Sequence, residues 1–149
     1  MLYLGRRHPL KGVEYLESAV AEIVSECRSS GVECPKSPSV ELRVVSDAFG
    51  EEKERVWDWC DVLVLPTLSE NFGRVIAEAL ERGKRVITTD GAPAWGGDCS
   101  ESQVSSLELG GEIWTGYGGR LMYLKGYRDG TREKRVQLLK TAIELMNRA

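Results

Sequence analysis

The chain of 149 residues holds a single histidine, His8, and that scarcity removes several chemistries at once. A Ser-His-Asp triad or a multi-histidine metal site would need His8 at its centre, and His8 sits in a basic loop where it reads as a turn residue. The four cysteines, Cys27, Cys34, Cys60 and Cys99, fit no zinc spacing and contain no Cys-x-x-Cys pair. A reduced, cytoplasmic setting is their simplest reading, and Cys60, just before a strand-forming run, reads as a small core residue. No apolar stretch approaches the ~20 residues of a membrane-spanning helix. Met1-Leu2-Tyr3-Leu4 is too short for a signal peptide and runs straight into Gly5-Arg6. With a net charge of -3 there is no reason to expect nucleic-acid binding, and no basic amphipathic helix marks a membrane surface. There is no Asp-x-Asp cluster, no internal repeat and no low-complexity tract.

What remains is ordinary in bulk and informative in detail. Hydrophobic content of 42% and charged content of 29% suit a globular domain, and the length suits one domain, 1–149, with a proper core. The segment Leu65-Pro-Thr-Leu-Ser-Glu-Asn-Phe-Gly-Arg-Val-Ile-Ala-Glu-Ala-Leu80 stands out. A strand-forming run, 61–65, stops at Pro66. A polar loop ending in Asn71-Phe72-Gly73 follows, and 74–81 has helical spacing. In such a strand-loop-helix unit the helix N-terminus presents free backbone N–H groups to an anion. Glu70 lies in the loop and Glu78 about one turn inside the helix. Carboxylates so placed can accept hydrogen bonds from hydroxyls on both sides of a phosphate, as a sugar nucleotide requires; the plain alternative is a solvated helix face.

Elsewhere strands and helices alternate. Apolar positions at Val13, Leu16, Ala19, Val20, Ile23 and Val24 predict a helix over 13–28. The run 29–39 reads as a loop, 40–45 as a strand, 51–59 as a short helix, 85–89 as a strand and 121–124 as a final short strand. A terminal helix covers 131–148. The stretch 91–119, rich in Gly, Ser and Asp, reads as irregular. This alternation predicts an α/β fold, a parallel sheet flanked by helices, with Leu63, Leu65, Val75, Ile76, Val86 and Ile87 in the core. Ligands of such sheets bind beyond the carboxyl ends of the strands. Three chemistry-bearing loops fall there: Gly5 to Gly12 with Arg6, Arg7 and Lys11; Glu70 to Gly73; and Asp90 to Trp95.

These loops resemble the signature of the retaining glycosyltransferases of family 4 (group 1), which have the two-domain GT-B fold. Leu65 to Leu80 resembles the donor-binding signature of the C-terminal domain. Gly5, Arg6, Lys11 and Gly12 match a Gly-Arg, four residues, Lys-Gly pattern. Thr89 to Trp95 is similar to a Thr-x-Gly-x-Pro-Trp segment, with Ala94 inserted between Pro93 and Trp95. The resemblance implies a Rossmann-like domain, the C-terminal half of a GT-B enzyme, that transfers a hexose from a nucleoside-diphosphate sugar, for instance a UDP-sugar, with retention. Arg6, Lys11 and Glu70 would be its catalytic set: the two cations bind the diphosphate leaving group and Glu70 contacts sugar hydroxyls. Glu78 would accept from the ribose, and Asn71, Phe72, Gly73 and Arg74 would line the sugar and phosphate. No metal cofactor is implied, because the cations and helix N-terminus do the work that Mg²⁺ does elsewhere. The acceptor-binding N-terminal half is absent, so a partner domain or chain is expected and activity alone is not. Family members have a further strand where this chain has only 29–39, so a sheet one strand short is expected. The same domain could alternatively stand alone as a non-catalytic sugar-nucleotide binding module, or form one half of a split enzyme; a sugar-nucleotide epimerase matches less closely.

Overall fold

The computed structural model describes residues 1–29, 40–104 and 110–148. In chain order the elements are β1 (Leu2–Leu4), α1 (Val13–Ser29), β2 (Arg43–Val45), α2 (Gly50–Trp59), β3 (Val62–Val64), α3 (Arg74–Glu81), β4 (Arg85–Thr89), β5 (Cys99–Val104), β6 (Glu112–Gly116), β7 (Leu121–Lys125) and α4 (Arg132–Arg148). They form one sheet in the order β2-β1-β3-β4-β7-β6-β5. The first five of these run parallel. The fold is thus the expected α/β layer of a parallel sheet flanked by helices.

Chain direction across the sheet decides where a ligand can sit. From β1 the chain steps to β2 at one side, then returns past β1 to β3 and on to β4. Right-handed crossovers stepping in opposite directions place α1 and α3 on opposite faces, and leave a crevice between the loops that follow β1 and β3. The helices pair accordingly: α1 packs on α4, while α2 meets α3 through Arg82, whose Nη2 lies 2.7 Å from Glu54 and whose guanidinium covers the Trp57 ring.

Two expectations need correction. The region 91–119 is not irregular, because β5 and β6 lie in it; they pair antiparallel, and β6 extends the sheet antiparallel to β7. The sheet is therefore mixed rather than wholly parallel. The core correction concerns Val75. Leu63, Leu65, Ile76, Val86 and Ile87 are buried, but Val75 is only partly so and lines a groove. Cys60 is buried as expected. The segment 30–39, read as a loop, lies outside the described residues, as does Cys34; among the described residues β2 is the next strand after β1 and sits at the sheet's edge. Each fully buried Leu or Ile contributes about 1.5–3 kcal/mol, whereas an exposed ion pair contributes about 0–1 kcal/mol. The core, not the surface charges, holds the sheet together. No helix among the described residues is long and apolar enough to cross a membrane.

Candidate functional site

The loops after β1 and β3 are locked together. Gly12 carries φ +69°, and a Cβ there would stand 2.0 Å from the Pro66 carbonyl oxygen, so only glycine allows this approach. The Leu68 N–H donates to the Leu10 carbonyl at 2.7 Å, and Thr67 Oγ1 donates to the same carbonyl at 3.3 Å. At this junction Lys11 Nζ donates to Glu70 Oε2 at 2.6 Å and reaches the Ser69 carbonyl at 3.5 Å. Two residues from separate sequence motifs are therefore one ion pair in space.

The other residues of the basic turn divide. Arg7 pairs with Glu17 of α1 at 3.0 Å. His8 accepts the Leu10 N–H on Nδ1 and caps the short 3-10 turn Pro9–Lys11, the turn role expected of it. Arg6 is exposed, and its guanidinium has no ion-pair partner among the described residues. Its backbone is held by the buried Tyr3, whose hydroxyl donates to the Arg6 carbonyl at 2.7 Å. Burial, and next the Glu70 carboxylate, push the Tyr3 phenol up to about 12, so it stays a donor at neutral pH.

Glu78 occupies an adjoining groove of about 240 Å³, lined among others by Gly5, Ser46, Phe49, Lys53 and Arg74. Gly73 ends the preceding loop in the left-handed region, φ +79°, and its carbonyl accepts the Ile76 N–H at 2.9 Å, which starts α3. Glu78 then points across to α2, where Lys53 Nζ lies 2.8 Å from its Oε2. That oxygen is out of solvent and makes no aligned hydrogen bond, so Lys53 supplies its charge balance. With Lys11 and Lys53 both paired to glutamates, Arg6 and Arg74 are exposed cations with no ion pair among the described residues.

The third loop braces the second. The Glu70 N–H donates to the Gly91 carbonyl at 2.9 Å, and a Cβ on Gly91 would meet the Thr67 carbonyl at 2.1 Å. The largely buried Trp95 donates from Nε1 to the Phe72 carbonyl at 2.5 Å, and its ring packs on Phe72 and Tyr117 at 5.3 and 6.0 Å. Asn71 and Phe72 are exposed on this braced loop. Asp90 accepts the backbone N–H groups of Gly126 and Arg128 at 2.9 and 2.7 Å, tying in the loop after β7.

The structure thus brings Lys11 into contact with Glu70, sets Arg6 on the same turn, and gathers Glu78 and Arg74 in the neighbouring groove. Sequence reasoning missed Lys53; it placed Asp90 and Trp95 in a chemistry-bearing loop but foresaw neither the clamp at Asp90 nor the bracing by Trp95. Lys53 sits on a helix with two acidic residues in its first turn, and no local pattern marks it as a partner for α3.

The loops thus gather cations, carboxylates and a helix start at the topological switch point of an α/β sheet, the place where sheets of this kind take their ligands. The family is more particular: the model of the group 1 glycosyl transferases matches residues 1–98, and the chain belongs to that family. No curated protein matches the sequence. Among solved structures the chain is similar to the catalytic domain of starch synthase IV from Arabidopsis thaliana, bound to ADP and acarbose, at 11% identity and a TM-score of 0.48. That likeness covers 95% of this chain and 34% of the other, so the chain spans about a third of that protein's length.

Proposed function

We propose that the chain is the donor-binding half of a glycosyltransferase that moves a hexose from a nucleoside diphosphate to an acceptor with retention of configuration. The observation that carries the reading is the meeting of Lys11 and Glu70 at 2.6 Å between the β1 and β3 loops, with Arg6 uncompensated beside them. In this reading Arg6 and Lys11 hold the diphosphate. When the bond between the anomeric carbon and the phosphate oxygen breaks, its electron pair stays on that oxygen, and the two cations stabilise the charge. Glu70 accepts hydrogen bonds from sugar hydroxyls. Glu78, steadied by Lys53, accepts them from the ribose in the adjoining groove, and the backbone of Asn71, Phe72, Gly73 and Arg74 faces the sugar and phosphate. No metal is required.

An acceptor-binding domain, in the same polypeptide or a separate one, completes the enzyme, which works in the cytoplasm. Turnover by these 149 residues alone is expected to be negligible. A thermal-shift or calorimetric screen against UDP-, GDP- and ADP-sugars tests the reading: one nucleotide series should raise the melting temperature, with millimolar affinities sufficing. Failure of all three series at millimolar concentration would remove it.

A further inference from the structure

The ion pair between Lys11 and Glu70 has a consequence for which ligands the edge admits. Both side chains are only 21% exposed, so water screens their attraction less than it would at a free surface. Both are also anchored through their backbones. Lys11 precedes Gly12, wedged against Pro66, and the Glu70 N–H is bonded to Gly91. Neither partner is free to leave by a loop movement; only side-chain rotation separates them. Lys11 therefore meets an incoming phosphate with its charge already balanced, and beside it stands a carboxylate that repels the phosphate.

We propose that Glu70 is a discriminating residue, which holds the diphosphate site partly closed to an unsubstituted diphosphate and lets a sugar-bearing one in. This rests on the donor-site reading above. A sugar ester carries hydroxyls next to its phosphate. They donate hydrogen bonds to the Glu70 carboxylate and offset the loss of Lys11, which turns to the phosphate. A free nucleoside diphosphate has no such donor at that end. At neutral pH it also carries about one more negative charge there, because its terminal phosphate ionises a second time. Glu70 thus favours the donor over the spent nucleotide, and its repulsion assists departure of the product, a step that limits many enzymes.

The test uses inorganic pyrophosphate, the nucleoside diphosphates UDP, GDP and ADP, and their glucose esters, titrated by phosphorus NMR and calorimetry. The proteins compared are the unaltered one, Arg6→Ala, Lys11→Ala, Glu70→Gln and the Lys11→Ala/Glu70→Gln pair; Glu70→Ala replaces the glutamine variant if that does not fold. Glu70→Gln should bind pyrophosphate and nucleoside diphosphate about fivefold tighter, the worth of a partly shielded ion pair released. It should bind the glucose ester more weakly, and the gain for pyrophosphate should vanish in the double variant. A merely structural tie between the loops would not tighten anion binding. Unchanged or weaker pyrophosphate binding in Glu70→Gln, with Lys11→Ala still weakening it, would overturn the discrimination and leave the donor site standing. Pyrophosphate binding indifferent to Arg6, Lys11 and Glu70 alike would remove both.

Discussion

The loops after β1 and β4, at the candidate site, and the turn between the antiparallel strand β6 and β7 use glycine in opposite ways. In the parallel part, Gly12 and Gly91 sit where any Cβ would lie about 2 Å from a backbone carbonyl of the β3 loop. In the turn between β6 and β7, Gly118 and Gly119 have positive φ but open space around them. The first kind of glycine lets two loops touch; the second only turns the chain. The parallel part also carries the ion pairs of Lys11 with Glu70 and of Lys53 with Glu78. The antiparallel part is held by pairing, by the fully buried Ile113, and by Trp114, which bonds Glu112 and lies under Lys125. It meets the site loops through the ring contact of Tyr117 with Trp95 and through Cys99 Sγ, 3.5 Å from the Trp95 carbonyl oxygen. The loops of the candidate site are interlocked, while the added strands serve the core.

That contrast can be broken at several scales. Gly12→Ala adds a clash with Pro66 to a left-handed backbone and should cost roughly 3–5 kcal/mol of stability in chemical denaturation, whereas Gly118→Ala should cost only about 1–2 kcal/mol. Equal costs would mean that the loop contact is not as tight as drawn. If β6 truly belongs to the core, Ile113→Ala should cost about 2–4 kcal/mol; a loss near zero would make the antiparallel pair a loose appendage. Arg6→Ala should weaken nucleoside-diphosphate binding by about 1–3 kcal/mol, with a loss that shrinks at high salt, and Lys11→Ala by a similar amount, because it removes a cation and leaves Glu70 unopposed. The smallest effect belongs to Lys53→Ala, expected to weaken the same ligand by about 0.5–1 kcal/mol through Glu78, and to leave pyrophosphate binding unchanged.

Much of the parallel part was legible because each strand there is a short apolar run and each helix has a clear apolar face. Residues 85–89 read as a strand and are one, 61–65 read as a strand and hold the shorter β3 at Val62–Val64, and 74–81 read as a helix bounded by Gly73 and Gly83. The strands β5 and β6 were not legible. Their residues are largely Ser, Glu, Gln and Gly, and an antiparallel strand at the sheet margin needs no continuous apolar run. Ile113-Trp114-Thr115 was the one strand-forming signal available. At the site, residue types and loops were readable, but partners were not. That Lys11 spends its charge on Glu70, and that Glu78 is held by Lys53, depends on contacts across the sheet and between helices that no local spacing encodes.

The central claim is that the donor binds where the loops after β1, β3 and β4 interlock, and it is tested most directly by amide NMR of the ¹⁵N-labelled chain titrated with UDP-, GDP- and ADP-glucose. Amides of Gly5 to Gly12, Ser69 to Arg74 and Asp90 to Trp95 should shift together along one binding curve, with Glu78 and Lys53 following, while Ile113, Trp114 and Gly118 stay still. Shifts centred on the antiparallel strands or on the groove between α1 and α4, with the three loops unmoved, would contradict it.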